Sequence, residues 1–236
     1  MPGDKSVKPA APLVAPDELP RRSVLSDTTY EAVKQLIMDN RLAPGTRISM
    51  ESLARELGVS PTPVREALAR LDADGLVSKR PLAGYTVSAQ LDAAAFEDLF
   101  RMRLLLEPEA ARLAAARPMD PTELTQLAEL TKRMVDAPTG EGYAAYREQI
   151  ALDARFHDAI AAASGSALLH AAISRLHAHM HLYRLYWHSG FAVDTAAEHE
   201  RIVAALAAGD PAAGARAMSA HLRASHDRLI QFTAEL

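Results

Sequence analysis

The sequence predicts a mostly α protein in two parts: an N-terminal winged helix-turn-helix with a small β-hairpin wing, and a C-terminal all-α helical bundle. Three observations predict it. Two short amphipathic stretches are joined by Gly58-Val59-Ser60, the connection of a helix-turn-helix. Two short β-prone runs, Leu76 to Lys79 and Tyr85 to Val87, flank Pro81-Leu82-Ala83-Gly84. Beyond Asp92 only helical periodicity is found, broken at Arg117-Pro118, Pro138-Thr139-Gly140, Ser164-Gly165, Ser189-Gly190 and Gly209-Asp210-Pro211.

Taken in order, residues 1–22 read as a disordered arm, because five prolines and few large apolar groups cannot offset the entropy of ordering. Ser26 is placed as the N-cap of a first helix, in which Tyr30, Val33 and Ile37 recur at helical spacing as far as Asn40. Pro44-Gly45 forces a turn. A short helix from about Met50 to Leu57 buries Leu53, Ala54 and Leu57 and stops at Gly58. The next begins at Ser60 with Pro61 in its first turn, buries Val64, Ala67, Leu68 and Leu71, and ends at Gly75. The hairpin then closes a DNA-binding-sized unit at residues 23–90, and residues 91–236 form the bundle. Six bundle helices are expected, at about 92–116, 121–136, 142–163, 166–188, 195–208 and 211–232, with Pro108 kinking the first.

Composition narrows the chemistry. The 236 residues contain no cysteine, which excludes disulfides, thiolate zinc sites, iron-sulfur clusters and cysteine nucleophiles. No apolar run approaches the roughly 18 to 20 residues of a membrane helix, and no signal-peptide core is present, so a cytoplasmic protein without a membrane partner is expected. The formal charge of -4 is unevenly spread: residues 1–90 carry 12 basic and 11 acidic side chains, the remainder 14 and 19. All nine histidines fall between His157 and His226. The two parts therefore carry different chemistry.

The helix beginning at Ser60 gathers Ser60, Thr62 and Arg65 at its N-terminal end, where free amides and the helix dipole favour a phosphate and an arginine can grip a guanine edge. Arg80 and the backbone near Gly84 stand at the wing tip, within reach of a flanking groove. The competing reading makes Arg65 a solvated residue paired with Glu66 or Glu56.

The run Leu42-Ala43-Pro44-Gly45, then Leu53 through Leu71, then Gly75-Leu76-Val77 resembles the winged-helix domain of GntR-family transcription regulators over about residues 24–90. The resemblance implies that Ser60, Thr62, Arg65 and the wing around Gly84 contact operator DNA. Pro61 occupies a position where the family usually carries Arg, so one expected contact is missing.

In the C-terminal part Asp153 and His157 lie four residues apart on one helix face, with His199 and His221 on later helices. Three imidazoles and a carboxylate suit a divalent ion, zinc first, with nickel, manganese or iron also compatible. A second set, His170, His177, His181 and His188, shares one side of the expected 166–188 helix, with His179 off that side, and spacing does not choose between the two. Arg103-Leu104-Leu105-Leu106-Glu107-Pro108-Glu109-Ala110-Ala111, Asp153-Ala154-Arg155-Phe156-His157, Ser164-Gly165, His199-Glu200-Arg201-Ile202 and Ala220-His221-Leu222 are similar to the FCD effector domain of the FadR-like GntR subgroup over about residues 92–230. That resemblance implies metal ligation by Asp153, His157, His199 and His221. Ser166 stands where the family often has Asn.

The resulting expectation is a homodimeric repressor that binds double-stranded operator DNA and responds to a small organic acid held by the metal and by Arg103. Arg103 is read equally as an ion-pair partner of Glu107, one helical turn on. Coupling is expected through the helix starting near Asp92. Two alternatives are a metal-dependent hydrolase and a structural-metal scaffold whose winged helix binds protein.

Overall fold

In the computed structural model the described residues are 19–81, 84–138, 142–186 and 195–235, with side chains from residue 25 to residue 233. Most of the expected arm, residues 1–18, lies outside them. Helix α1 (Leu19–Met38) begins seven residues before the expected Ser26 cap, and Ser26 lies inside it, buried. Tyr30, Val33 and Ile37 do face inward. The helix is finished by Asn40 in the left-handed region. Helices α2 (Met50–Leu57) and α3 (Pro61–Ala73) are joined through Gly58, whose φ of 66° lets its amide turn back onto the last carbonyls of α2. The α2 N-terminus is capped by the Ser49 hydroxyl, whereas the Ser60 hydroxyl makes no capping bond on α3, where Pro61 removes one of the free donors.

Strands β2 (Val77–Arg80) and β3 (Gly84–Val87) pair antiparallel, Arg80 opposite Gly84 and Val77 opposite Val87. A third strand not evident in the sequence, β1 (Arg47–Ile48), pairs with β3 on its other edge, giving the order β1-β3-β2. Two residues carry too little periodicity to register as a strand, and the Pro44-Gly45 turn alone brings them there.

The bundle comprises α4 (Ala93–Ala115), α5 (Pro121–Asp136), α6 (Tyr143–Ala163), α7 (Ala167–Ser174), α8 (Ala178–Tyr186), α9 (Ala196–Ala207) and α10 (Pro211–Leu229), closed by a 3-10 turn over Ile230–Glu235. Helix α4 runs through Pro108 without a break. The expected 166–188 helix is instead two, because the chain turns at Arg175 to His177 and His177 takes a φ of 45°. This break changes the helical phase, so His170, His177 and His181 do not share a side; His188 lies outside the described residues.

Two packing features hold the bundle helices and the winged helix in place. Helices α4 and α10 meet through small residues, and a Cβ on Gly214 would stand 3.1 Å from the Ala111 carbonyl oxygen. The winged-helix core, built on Val33, Val64, Leu68, Leu71, Leu76 and Val87, continues into the bundle through Tyr143, Tyr146 and Tyr183. Asp39 at the end of α1 also accepts a 2.6 Å hydrogen bond from the Tyr143 amide at the start of α6.

Candidate metal centre and nucleic-acid face

Helix α6 buries His157 and sets Asp153 one turn before it, partly exposed. Helix α9 brings His199, fully buried, and α10 brings His221. Asp153 Oδ1 lies 3.8 Å from His157 Nε2 and 3.5 Å from His199 Nε2. Donor atoms of His157, His199 and His221 all lie within 4.8 Å of one another. Donors about 2 Å from a shared zinc stand about 3 to 4 Å apart; His157, His199 and His221 lie near that spread of one another, and Asp153 near that of His157 and His199.

Their hydrogen bonds fit a metal centre. Asp153 Oδ1, His157 Nε2 and both His199 ring nitrogens are buried without a protein partner, and such orphaned polar atoms carry a desolvation penalty that a ligated ion would relieve. His157 directs Nδ1 at Glu107 Oε2, 2.5 Å away, and His221 directs Nδ1 at Glu198 Oε2, 2.8 Å away. A carboxylate on Nδ1 fixes the tautomer whose Nε2 lone pair is free to bind a metal. Glu107 in turn accepts from Arg103 Nε at 2.7 Å, and Glu198 is clamped by both terminal nitrogens of Arg228, at 2.6 and 2.9 Å.

Burial pushes the His157 imidazole down to about 4, against the opposing pull of Glu107 and Asp153, and His199 down to about 3. Both rings are therefore neutral at pH 7, the form that ligates. Burial would raise the Glu107 carboxyl, but Arg103 and His157 outweigh it and hold the group ionised far below its usual range. Glu198 follows the same logic, burial opposed by His221 and Arg228, and falls to about 2.

Arg103 is a buried ion-pair partner of Glu107 and also lines the cavity beside Asp153, His179 and His221. The competing histidines divide. His170 pairs with Asp158 at 2.7 Å on an open face. His181 packs against Gly75. His179, which helical spacing puts off the shared side, brings Nδ1 to 2.7 Å from Asp153 Oδ2 and makes a second possible ligand group with Asp153 and His157. Glu107, Glu198, Arg228 and His179 are site residues that sequence reasoning does not reach. Only Glu107 leaves a trace, as the partner of Arg103 at i+4; the others depend on helix packing or on the break at His177.

On the winged helix, Ser60, Thr62, Arg65, Arg80 and Gly84 are all exposed. Among the described residues Arg65 forms no ion pair, since Glu56 is engaged by Arg41. Gly84, at φ 79°, starts β3 in a conformation that suits glycine. No described helix is long and apolar enough to cross a membrane.

Comparison with known proteins agrees with this division. Residues 25–87 match the model for bacterial regulatory proteins of the gntR family, and residues 98–224 match the FCD domain. The chain is 30% identical over 200 residues to an uncharacterized HTH-type transcriptional regulator in an unstable DNA locus of Streptomyces ambofaciens, spanning 84% of this chain and 82% of that one. It is also 30% identical over 205 residues to a probable D-xylose utilization operon transcriptional repressor of Paenarthrobacter nicotinovorans, 86% and 88% of the two chains. The structure of E. coli McbR/YncC superposes with a TM-score of 0.67 at 26% identity, over 88% of this chain and 97% of that one. The protein is a DNA-binding transcription regulator rather than an enzyme, and it belongs to the GntR family, with an FCD domain as its C-terminal part.

Proposed function

We propose that the chain is a cytoplasmic homodimeric repressor whose operator affinity is set by a small organic acid bound at a divalent metal. The metal would be held by Asp153, His157, His199 and His221, and the observation that carries this reading is the buried, unpartnered donor atoms of Asp153, His157 and His199, with His221 close to both rings and Glu107 and Glu198 behind His157 and His221. The bound ion would supply positive charge and coordination positions for a carboxylate. With neutral imidazoles and a single Asp, a divalent ion leaves the site net positive, which favours an anionic effector.

A partly open cavity beside Arg103, Asp153, His179 and His221 would receive the acid. Arg103 offers a guanidinium wall, while Leu182 and Leu229 line the apolar side. On the DNA side, Ser60, Thr62, Arg65, Arg80 and Gly84 would meet the operator, two copies doubling the contacts across a pseudo-palindrome.

The test is a thermal-shift screen of metals, then of short carboxylic acids on the loaded protein, followed by mobility shifts on the upstream region of its own gene. Stabilisation by one metal and then by a short acid, with a change in DNA retention, is the expected result. Stabilisation by neither would overturn the reading.

A further inference from the structure

Helix α8 is nine residues long, yet it touches both halves of the molecule. Toward the bundle, His179 in its first turn bonds Asp153, and Leu182 and Leu185 pack with Phe96, Leu99 and Phe100 of α4. Toward the winged helix, Tyr183 joins the core that contains Val64 and Leu68 of α3. His181 lies against Gly75, just after α3, where a Cβ on the glycine would come 3.2 Å from the ring. Arg184 in the last turn donates to the Ser88 carbonyl at 2.9 Å and the Ala89 carbonyl at 3.4 Å, and the Gln90 amide returns a 2.9 Å bond to the Arg184 carbonyl.

These far-end contacts fall on the segments that carry the DNA-facing residues: the end of α3 and the chain leaving β3. Arg184 is a buried cation whose hydrogen-bond acceptors among the described residues are neutral carbonyls and not carboxylates, and burial pulls its pKa down to about 10. A charge held this way is costly to leave unbonded, so a shift of α8 acts on residues 88–90 instead of being absorbed.

We propose that α8 is the strut between the metal site and the DNA-binding half, with His179 as the positioning residue on the metal ligand Asp153 and Arg184 as the grip on the strand leaving the wing. This rests on the metal reading above. An ion on Asp153 Oδ1 would set the angle of the carboxylate whose Oδ2 holds His179, and α8 carries that setting along its length to Gly75 and Ser88. The connection through α4 expected from the sequence runs in parallel, since α8 packs on Phe96 and Phe100.

The test uses the full-length protein, a fluorescent operator selected by the protein from a random-sequence pool, and zinc alone as the probe, with a chelator in the zinc-free arm. The wild type should change operator affinity by about 5- to 150-fold on zinc loading. His179→Ala, loaded at a zinc concentration that elemental analysis shows to fill its site, and Arg184→Met should each change affinity on loading by less than about twofold, and the double variant should add nothing. Either single variant that keeps the wild-type ratio overturns the strut. A wild type that binds zinc with unchanged operator affinity overturns it too and leaves the metal site standing, whereas a wild type that takes up no zinc overturns the metal reading itself. Should Arg184→Met fail to fold, amide exchange decides with His179→Ala. Zinc should slow exchange at 178–186 and 88–90 in the wild type only, and equal slowing at 88–90 in the variant refutes the proposal.

Discussion

Glu107→Gln exchanges one oxygen for an amide nitrogen in a group whose two oxygens both accept hydrogen bonds. Arg103 Nε donates to Oε1 at 2.7 Å and His157 Nδ1 to Oε2 at 2.5 Å, with the carboxylate only 4% exposed. The carboxamide can satisfy one of these donors and must turn its own NH₂ on the other. If the oxygen stays with Arg103, the NH₂ meets His157 Nδ1, and the ring keeps a bond only by moving its proton to Nε2, which removes the ligating lone pair. If the oxygen faces His157, the NH₂ opposes Arg103 Nε. In either arrangement the Arg103 charge is left buried without its counter-ion, a loss of about 3 to 5 kcal/mol for breaking such a pair. With a urea m-value of about 2 to 3 kcal/mol/M, the unfolding midpoint should fall by about 1 to 2.5 M. Zinc affinity, measured by competition with a chromophoric chelator, should fall about 10- to 100-fold, as is usual when the carboxylate behind a ligating histidine is lost. Removing the stranded charge as well, in Arg103→Met/Glu107→Gln, should recover part of the midpoint but none of the zinc affinity. A single variant with unaltered midpoint and unaltered zinc affinity would refute the assignment of Glu107 to both partners.

Further variants probe the DNA face, the metal ligands and the half-buried His181 ring. Arg65→Ala should cost about 1 to 3 kcal/mol of specific operator binding by anisotropy, and undiminished specificity would remove Arg65 from the interface. His199→Ala and His221→Ala should each lose zinc on elemental analysis while His170→Ala, whose ring is tied to Asp158 outside the cluster, retains it; the reverse pattern would move the site. Burial, helped by Arg184 and His177, pushes His181 from 6.5 down to about 4. The unfolded chain gains this proton near pH 6.5 and the folded one only near 4, so the group's stabilisation holds above that window and is lost as the pH falls through it, by about 1 to 2 kcal/mol at pH 5. His181→Gln should flatten the fall in urea midpoint between pH 7 and pH 5, and an identical fall in both proteins would contradict the burial of that ring.

Local chemistry is the part of this fold that is legible in the sequence. Gly58 in the left-handed region, Pro61 at a helix start and Val64, Ala67, Leu68 and Leu71 on one face specify the helix-turn-helix without reference to the rest of the chain. Asp153 and His157 are recognisable as a pair by helical spacing, but their union with His199 and His221 needs the family resemblance, because the order in which helices pack is not written in spacing. The carboxylates behind the rings are hidden for the same reason: Glu107 and His157 are 50 residues apart and meet only where α4 crosses α6. His179 is misplaced by a different cause. Its neighbours favour helix throughout, and the interruption at His177 depends on a backbone angle that no glycine or proline announces.

The contact between α4 and α10 sets the mechanical character of the chamber. With Gly214 held against the Ala111 carbonyl, those helices approach so closely there that a side chain at this position would force them apart. Each bears part of the site, Arg103 and Glu107 on one, His221 and Arg228 on the other, so these groups form an unyielding anvil. A ligand beside them would make room at the short helix that begins after His177 more readily than at this close contact.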